Sequence, residues 1–373
     1  MALTLNTLNK IYPVYSNNLK LTATESTATS SFTYTFQVYV NGVLTYTIVQ
    51  SANPELKAEI NLSSLLQNHF ESTVYANTTN IFEIVPSAIL NYSVTVTSKN
   101  AAGATVNTAS TGTLYCFNGT VQDWESFNIN DYLMVSTVST GKFLTKLDKR
   151  RTTINSKCFL SVINGSFGLA SNPSFTGIHV TAYDANGTTR TATSTYSNTT
   201  ASIVSIDCSV AKLNTLSAGL ITENTTHYVI KERSDKSSQS ITFQIEREKK
   251  MKEVFNIHYV NSLGAVDSFD FTKVKNENLL ISRKVFEQNQ TRKIYNTEAD
   301  TTISVFSNWV TPDQSEGLKD LWVSPASKLY FNNVFNNIIL NTSSISIKNK
   351  YNSNLINYNV AFNYAHKYKV QNY

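Results

Sequence analysis

Charge is scarce in this 373-residue chain: 15% of its residues are Asp, Glu, Lys or Arg, against roughly 25% in an average soluble domain. Proline occurs 6 times and glycine 12 times, so disorder driven by charge or by Pro and Gly is excluded. The three cysteines, Cys116, Cys158 and Cys208, are too few and too far apart for a disulfide framework or a zinc site. Three buried small apolar side chains are expected instead. No apolar run approaches the roughly 18 residues that cross a bilayer. The opening MALTLNTLNK lacks the basic and apolar regions of a secretory signal. The expectation is a protein made in a cytosol, with no membrane partner.

What is abundant is small and polar: 42 Ser, 46 Thr and 42 Asn make up about a third of the chain. Beside them stand 20 Tyr and 19 Phe, and hydrophobic residues total 41%, enough apolar mass for real cores. Thr, Tyr, Phe, Val and Ile pack well on a pleated surface, so the chain reads as mostly β. Its length suggests two or three domains. The net charge of +5 is unevenly placed. Residues 1–140 carry four basic and eight acidic side chains, whereas Lys142, Lys146, Lys149, Arg150, Arg151 and Lys157 form one basic cluster. No acid follows Asp320, and five lysines do. Five lysines over 53 residues, with no recognition helix before them, are thin for phosphate neutralisation. Nucleic acid is not expected as a partner; an acidic protein neighbour is.

The fold class expected is tandem immunoglobulin- or fibronectin-like β-sandwiches followed by a C-terminal α+β region with one short capped helix. Residues 1–18 contain IYPVY, whose Pro13 would interrupt a central strand, and read as an extended arm. A first sandwich spans 19–117. Within it, Phe32, Tyr34, Phe36, Val38 and Val40 alternate with polar residues, Asn41-Gly42 supplies a tight turn, and VLTYTIVQ returns as the partner strand. INLSSLLQNHF reads as a strand entering a short helix. NYSVTVTSKNAAGATVNTAS (91–110) resembles the last hairpin of fibronectin type III domains, which would make Tyr92 a corner tyrosine bonded to nearby backbone. Residues 118–155 read as a connector, 156–273 as a second sandwich, and 274–373 as the α+β domain. In the last, Thr311 caps a helix, Pro312 opens it, Gln314 completes a capping box, Leu318, Leu321 and Trp322 form its apolar face, and Pro325 ends it.

Catalytic chemistry finds no foothold. The five histidines are dispersed and outside any metal-ligand spacing; His258, alternating within a strand, reads as a structural face residue. Gly165-Ser166-Phe167-Gly168 is not a nucleophile elbow. Asp267 and Asp270, three apart on a strand, point to opposite faces and cannot pair for glycoside hydrolysis. Ten Asn-x-Ser/Thr sequons are what 42 Asn among so many Ser and Thr give by chance. Trp124, Trp309 and Trp322 could stack on sugars, although Trp322, on the helix face, reads as core. No enzyme, metal or cofactor is expected.

Three further segments, taken together, resemble tail-associated proteins of crAss-like and other short-tailed phages of Bacteroidetes. They are HYVNSLGAVDSFDFTK, with its Asn-x-Leu-Gly turn and Asp-x-Phe-x-Phe strand; NWVTPDQSEGLKDLWVSPASKLYF, with its capped helix and Leu-x-x-Leu-Trp-x-Ser-Pro; and the closing NLINYNVAFNYAHKYKVQN. The resemblance implies a non-enzymatic virion component of tail ring, hub or collar type, made in the host cytoplasm, with copies of itself and neighbouring tail, portal or hub proteins as partners. The rival reading is a receptor-binding adhesin or fibre protein recognising a host glycan. Large side chains at both ends suit an interface with such neighbours: Ile11, Tyr12 and Tyr15 in the arm, and Tyr364, Lys367, Tyr368 and Lys369 at the close.

Overall fold

The computed structural model describes residues 3–26, 32–77, 79–134, 141–168, 174–234, 239–247, 253–273, 275–342, 345 and 356–366. Three β units follow one another, as the composition leads one to expect, and their borders are interleaved.

The first sandwich begins earlier than expected. Strand β1 (Leu3–Leu5) pairs with β3 (Lys20–Glu25), and β2 (Ile11–Tyr15) runs parallel to β10 (Leu114–Thr120). The 1–18 segment is therefore no free arm: Ile11, Tyr12 and Val14 are buried in their own domain. Pro13 is tolerated because β2 is the last strand of its sheet, where one missing N–H breaks no ladder. Strands β4 (Thr33–Val40) and β5 (Val43–Ser51) form the expected hairpin, with Asn41 and Gly42 both at positive φ (49° and 79°). After β6 (Lys57–Asn61) comes the one-turn helix α1 (Ser63–Leu66). A three-residue strand, β7 (Phe82–Ile84), precedes β8 (Ile89–Lys99) and β9 (Thr105–Ser110). The two layers are β1-β3-β6 and β2-β10-β8-β4-β5, with β9 continuing β10 along β8, in the Greek-key manner of immunoglobulin-like sandwiches.

The second unit repeats this plan. Strands β11 (Lys149–Thr152), β12 (Phe159–Asn164), β13 (Gly177–Asp184), β14 (Thr189–Thr195), β15 (Ser202–Asp207), β16 (Thr225–Glu232) and β17 (Ile241–Ile245), with the short helix α2 (Val210–Leu213), make a five-stranded layer β11-β17-β16-β13-β14. The opposing layer is β12-β15-β7. As β2 runs parallel to β10 in the first unit, the opening strand here runs parallel to the closing one, β11 to β17. Again an Asx residue ends a strand and accepts a backbone N–H just before the helix: Asn61 from Ser63 at 3.0 Å, Asp207 from Ser209 at 2.9 Å.

Two domain borders are corrected here. β11 lies in the stretch expected to be a connector, because four residues of strand, KRRT, carry no readable alternation. β7 comes from the first sandwich's range yet hydrogen-bonds to β15, Ile84 opposite Val204 and Phe82 opposite Ile206. It completes the second sandwich's smaller layer, and the Phe82 ring packs on Phe175 and Tyr196.

The third unit also starts early. β18 (Phe255–Val260) and β19 (Val266–Phe271), expected in the second sandwich, join a seven-stranded sheet with β20 (Lys275–Gln288), β21 (Thr291–Phe306), β22 (Ser327–Phe331), β23 (Val334–Leu340) and β24 (Asn359–Tyr364), in the order β19-β18-β22-β23-β24-β21-β20. Besides its hairpin partner β19, β18 pairs with β22, some 70 residues further on, a distance that local patterning does not span. The capping box forms as expected: Thr311 Oγ1 accepts from Gln314 N (3.3 Å), and Gln314 Oε1 accepts from Thr311 N (3.0 Å). The single helix is instead two, α3 (Pro312–Gly317) and α4 (Lys319–Val323), meeting at Leu318. Gly317 lies so close to Leu147 that a Cβ would come within 2.4 Å of its side chain. Leu318 and Leu321 are buried as expected, and Trp322 packs edge-on against Tyr358.

The corner tyrosine is also misplaced. The Tyr92 hydroxyl is buried and has no hydrogen-bond partner among the described residues. In the second sandwich, Tyr228 donates to the Cys208 carbonyl at 2.8 Å, beside α2. All three cysteines are buried and unbridged.

Candidate interfaces: a rigid joint, an uncovered arm and a three-domain cleft

Five of the six cations in the 142–157 cluster are ion-paired: Lys142 with Asp131, Lys146 with Glu125, Arg150 with Asp267, Arg151 with Glu246 and Lys157 with Asp207. The cluster is a clamp between units. At its centre Arg150, 3% exposed, donates to the Phe159 carbonyl, Thr145 Oγ1 and Asp267, and lies over the Phe243 ring. Asp267 also accepts from Thr145 and Asn261. The Asn-x-Leu-Gly turn plugs the third unit into the first: Leu263 and Ala265 enter its core, and Thr120 N donates to Ser262 O at 2.6 Å. Gly264, at φ 74°, brings its backbone so near Asn118 O that a Cβ would sit 1.8 Å away; any side chain pushes the units apart. Val74, Phe159, Val260 and Val266, drawn from all three regions, form a small shared core.

Asp270, on the same strand, is equally buried and accepts from Thr153, Ser156 and Asn256. Burial pushes its carboxyl up to about 7, with Ser156 and Asn256 opposing. His258 Nε2 donates to Asn256 Oδ1 at 2.6 Å. Burial, together with Lys157, Arg150 and Lys328, takes its pKa down to about 3, so the ring is neutral. Asp267 and Asp270 bond to separate sets of partners, each anchoring a different part of the clamp. Glu246, just past β17, accepts from Arg151, Thr272 and Asn308. Most of the charged run that follows it lies outside the described residues. No group of three metal-ligating side chains occurs among the described residues, and none of the helices among them is long and apolar enough to cross a membrane.

The terminal residues singled out from sequence do not come together. Ile11 and Tyr12 face inward, Tyr12 accepting from Asn18 and packing on Phe127, so they cannot reach a neighbour. Tyr15 is half-buried and lines a cleft. Tyr364 finishes β24, half-buried against the third core. Lys367, Tyr368 and Lys369 lie outside the described residues.

The surface that does stand uncovered was missed. Strands β20 and β21 form a hairpin closed by Asn289-Gln290, both at positive φ (49° and 60°). Among the described residues, β24 pairs with β21 only from Thr302 onward, and Leu279–Gln288 pair with Thr291–Thr301 alone, an arm reaching about 34 Å at 3.4 Å per residue. Leu279, Ile281 and Val285 alternate along one face, with Ile294 opposite Val285, and they continue the face that buries Ile303 in the body. Each is 43–53% exposed. Arg283, Lys284, Arg292 and Lys293 stand on the same arm with three carboxylates, Glu287, Glu298 and Asp300, and Lys284 pairs with Glu298. Alternation in NLLISRKVF followed by a two-residue Asn-Gln turn was the available signal; the charges interspersed along it hide the pattern.

A cleft of about 670 Å³ opens where the three units meet, lined by Tyr15, Asn118, Gln122, Trp124, Glu125, Lys146, Glu316, Lys319 and Asp320, among others. Trp124 is 82% exposed. Asp320, 7% exposed, accepts at Oδ2 from both Ser262 N (2.9 Å) and Ser262 Oγ (2.8 Å), and its pKa is raised by burial.

No family model and no curated protein matches this chain. Among solved structures, it is similar to the FN1–FN3 domains of chicken CNTN1, at 12% identity over 65% of this chain and 69% of that one, with a TM-score of 0.16. A likeness that slight carries no argument. The sandwich class rests on strand order and burial.

Proposed function

We propose that this chain is a non-enzymatic structural subunit of a bacteriophage virion, a ring, hub or collar element of the tail, joined there to copies of itself and to neighbouring tail proteins. The observation that carries the reading is the arm. A two-stranded hairpin alone is marginal in water, and this one exposes Leu279, Ile281, Val285 and Ile294 on the face that elsewhere forms the core. Its proper cover is a second copy: the arm carries four cations against three acids, a slight positive excess that complements residues 1–140, which carry eight acids and four bases. Such a contact joins unlike surfaces, the kind that closes into a ring when repeated. The buried clamps support the same role, since they hold the three units in one geometry. Two motifs of the phage resemblance, the Asn-x-Leu-Gly turn and the Asp-x-Phe-x-Phe strand, carry that clamp.

The test replaces 280–300 by Asn-Gly, joining Leu279 to its cross-strand partner Thr301. Light scattering and electron microscopy of the full chain should show concentration-dependent closed oligomers. The shortened chain should melt as before and remain monomeric. A full chain that stays monomeric and does not enter particles, or a shortened one that still assembles, overturns the proposal.

A further inference from the structure

The cleft at the three-unit junction has a chemistry of its own, independent of the arm. Its rim is the turn 122–125, held by Glu125 N donating to Gln122 O (3.0 Å) and Gln122 N donating to Glu125 Oε2 (3.2 Å). Asn17 Nδ2 reaches both oxygens of Asp123, at 2.6 and 2.7 Å. So fixed a turn could bury its indole as easily as display it. It presents Trp124 to solvent beside the cleft, with exposed Val323 and half-buried Tyr15 also in the lining. A large aromatic held out rigidly at a concave site marks a recognition surface.

The polar lining narrows the ligand. Lys146 is paired with Glu125 at 2.9 Å, and Lys319 is paired with Glu316, so both cations are committed. Set against Glu125, Glu316 and Asp320, they leave the lining one negative charge in excess. A phosphate, sulfate or sialic acid would meet no uncommitted cation. What remains is a set for hydroxyl groups. Asp320 uses one oxygen on Ser262 and keeps the other for a donor; Asn118 and Gln122 offer amides; Trp124 offers an apolar plane. We propose that this cleft binds a neutral carbohydrate, a pyranose stacking its C–H face on Trp124 while its hydroxyls donate to Asp320 and exchange hydrogen bonds with Asn118 and Gln122. The volume of about 670 Å³ falls within the roughly 300–1,000 Å³ of small-molecule sites.

Saturation-transfer NMR and calorimetry on the full chain test this directly, with maltotriose, cellotriose and N-acetylchitotriose as neutral probes and sialyllactose as the anionic one. At least one neutral probe should bind saturably and sialyllactose should not. Trp124→Ala should weaken binding roughly tenfold, equivalent to about 1.4 kcal/mol. Asp320→Asn, which keeps the side-chain shape, should weaken it with an unchanged melting curve. Trp309→Ala, outside the cleft, should leave affinity alone. Failure of every neutral probe, or full affinity in Trp124→Ala, overturns the proposal. So does a change of oligomeric mass in Trp124→Ala without loss of a sugar site, which would assign the indole to a contact between copies.

Discussion

His258, Asn256 and Asp270 form one hydrogen-bonded row, and its two titratable ends act on stability with opposite sign. Asp270 holds its proton up to about 7 when folded, against an ordinary value near 3.9. Its contribution is complete below pH 4 and is lost as pH rises toward 7. His258, pressed down to about 3 from about 6.5, contributes fully above pH 6.5 and loses that contribution as pH falls toward 3. Between about pH 4 and 6.5 the two slopes, each at most about 1.4 kcal/mol per pH unit, cancel. Urea denaturation should find stability nearly flat over that interval in the parent chain, whereas Asp270→Asn should grow steadily more stable from pH 4 to 6.5. A flat profile in the variant would refute the pairing. The neighbouring Arg150 belongs to the same scale. Arg150→Met strands the Asp267 carboxylate in the interior and should cost about 3–5 kcal/mol. The double variant Arg150→Met with Asp267→Leu should recover much of that loss in the same assay.

Elements with strong local signals were the ones legible in the sequence. The β4–β5 hairpin declares itself through alternation and Asn41-Gly42, and the capped helix through Thr311, Pro312 and Gln314. Thr311→Ala should lower stability by roughly 1 kcal/mol, and Leu321→Ala, fully buried, by about 2–5 kcal/mol, both read by thermal melting. What was illegible depends on partners distant in sequence. β7 is three residues long and finds β15 about 120 residues away. β11 reads as part of a basic patch because its charges are cancelled by Glu246 and Asp267, which only the fold brings near. Tyr12 looks like an interface aromatic until β10 covers it. Of the two proposed recognition surfaces, Trp124 was visible as a candidate, but the cleft beside it is assembled from three units and no local motif describes it.

At the scale of the whole molecule, the order of the units along the chain and their order in space disagree at one place. β7 leaves the first sandwich between α1 and β8 and seats itself in the second one's sheet, so the two sandwiches are stitched as well as joined end to end. A tobacco etch virus protease site built into residues 135–140 gives a direct check: after cutting, both halves should still elute together and separate only in denaturant. Pro substitution at Glu83, which faces Ser205 in the β7–β15 ladder, should lower the denaturant concentration at which the cut pieces separate, while the turn that places Leu263 in the first core still holds them in buffer. Synthesis from the N-terminus adds a matter of timing. By the time β15 leaves the ribosome, β7 has already been waiting through the making of more than a hundred residues, flanked on both sides by strands of the first sandwich, all of which are already made. The earlier unit thus acts as an internal template for the later one, and a fragment begun at residue 141 would be born with its β15 edge bare and ready to seize a strand from another chain.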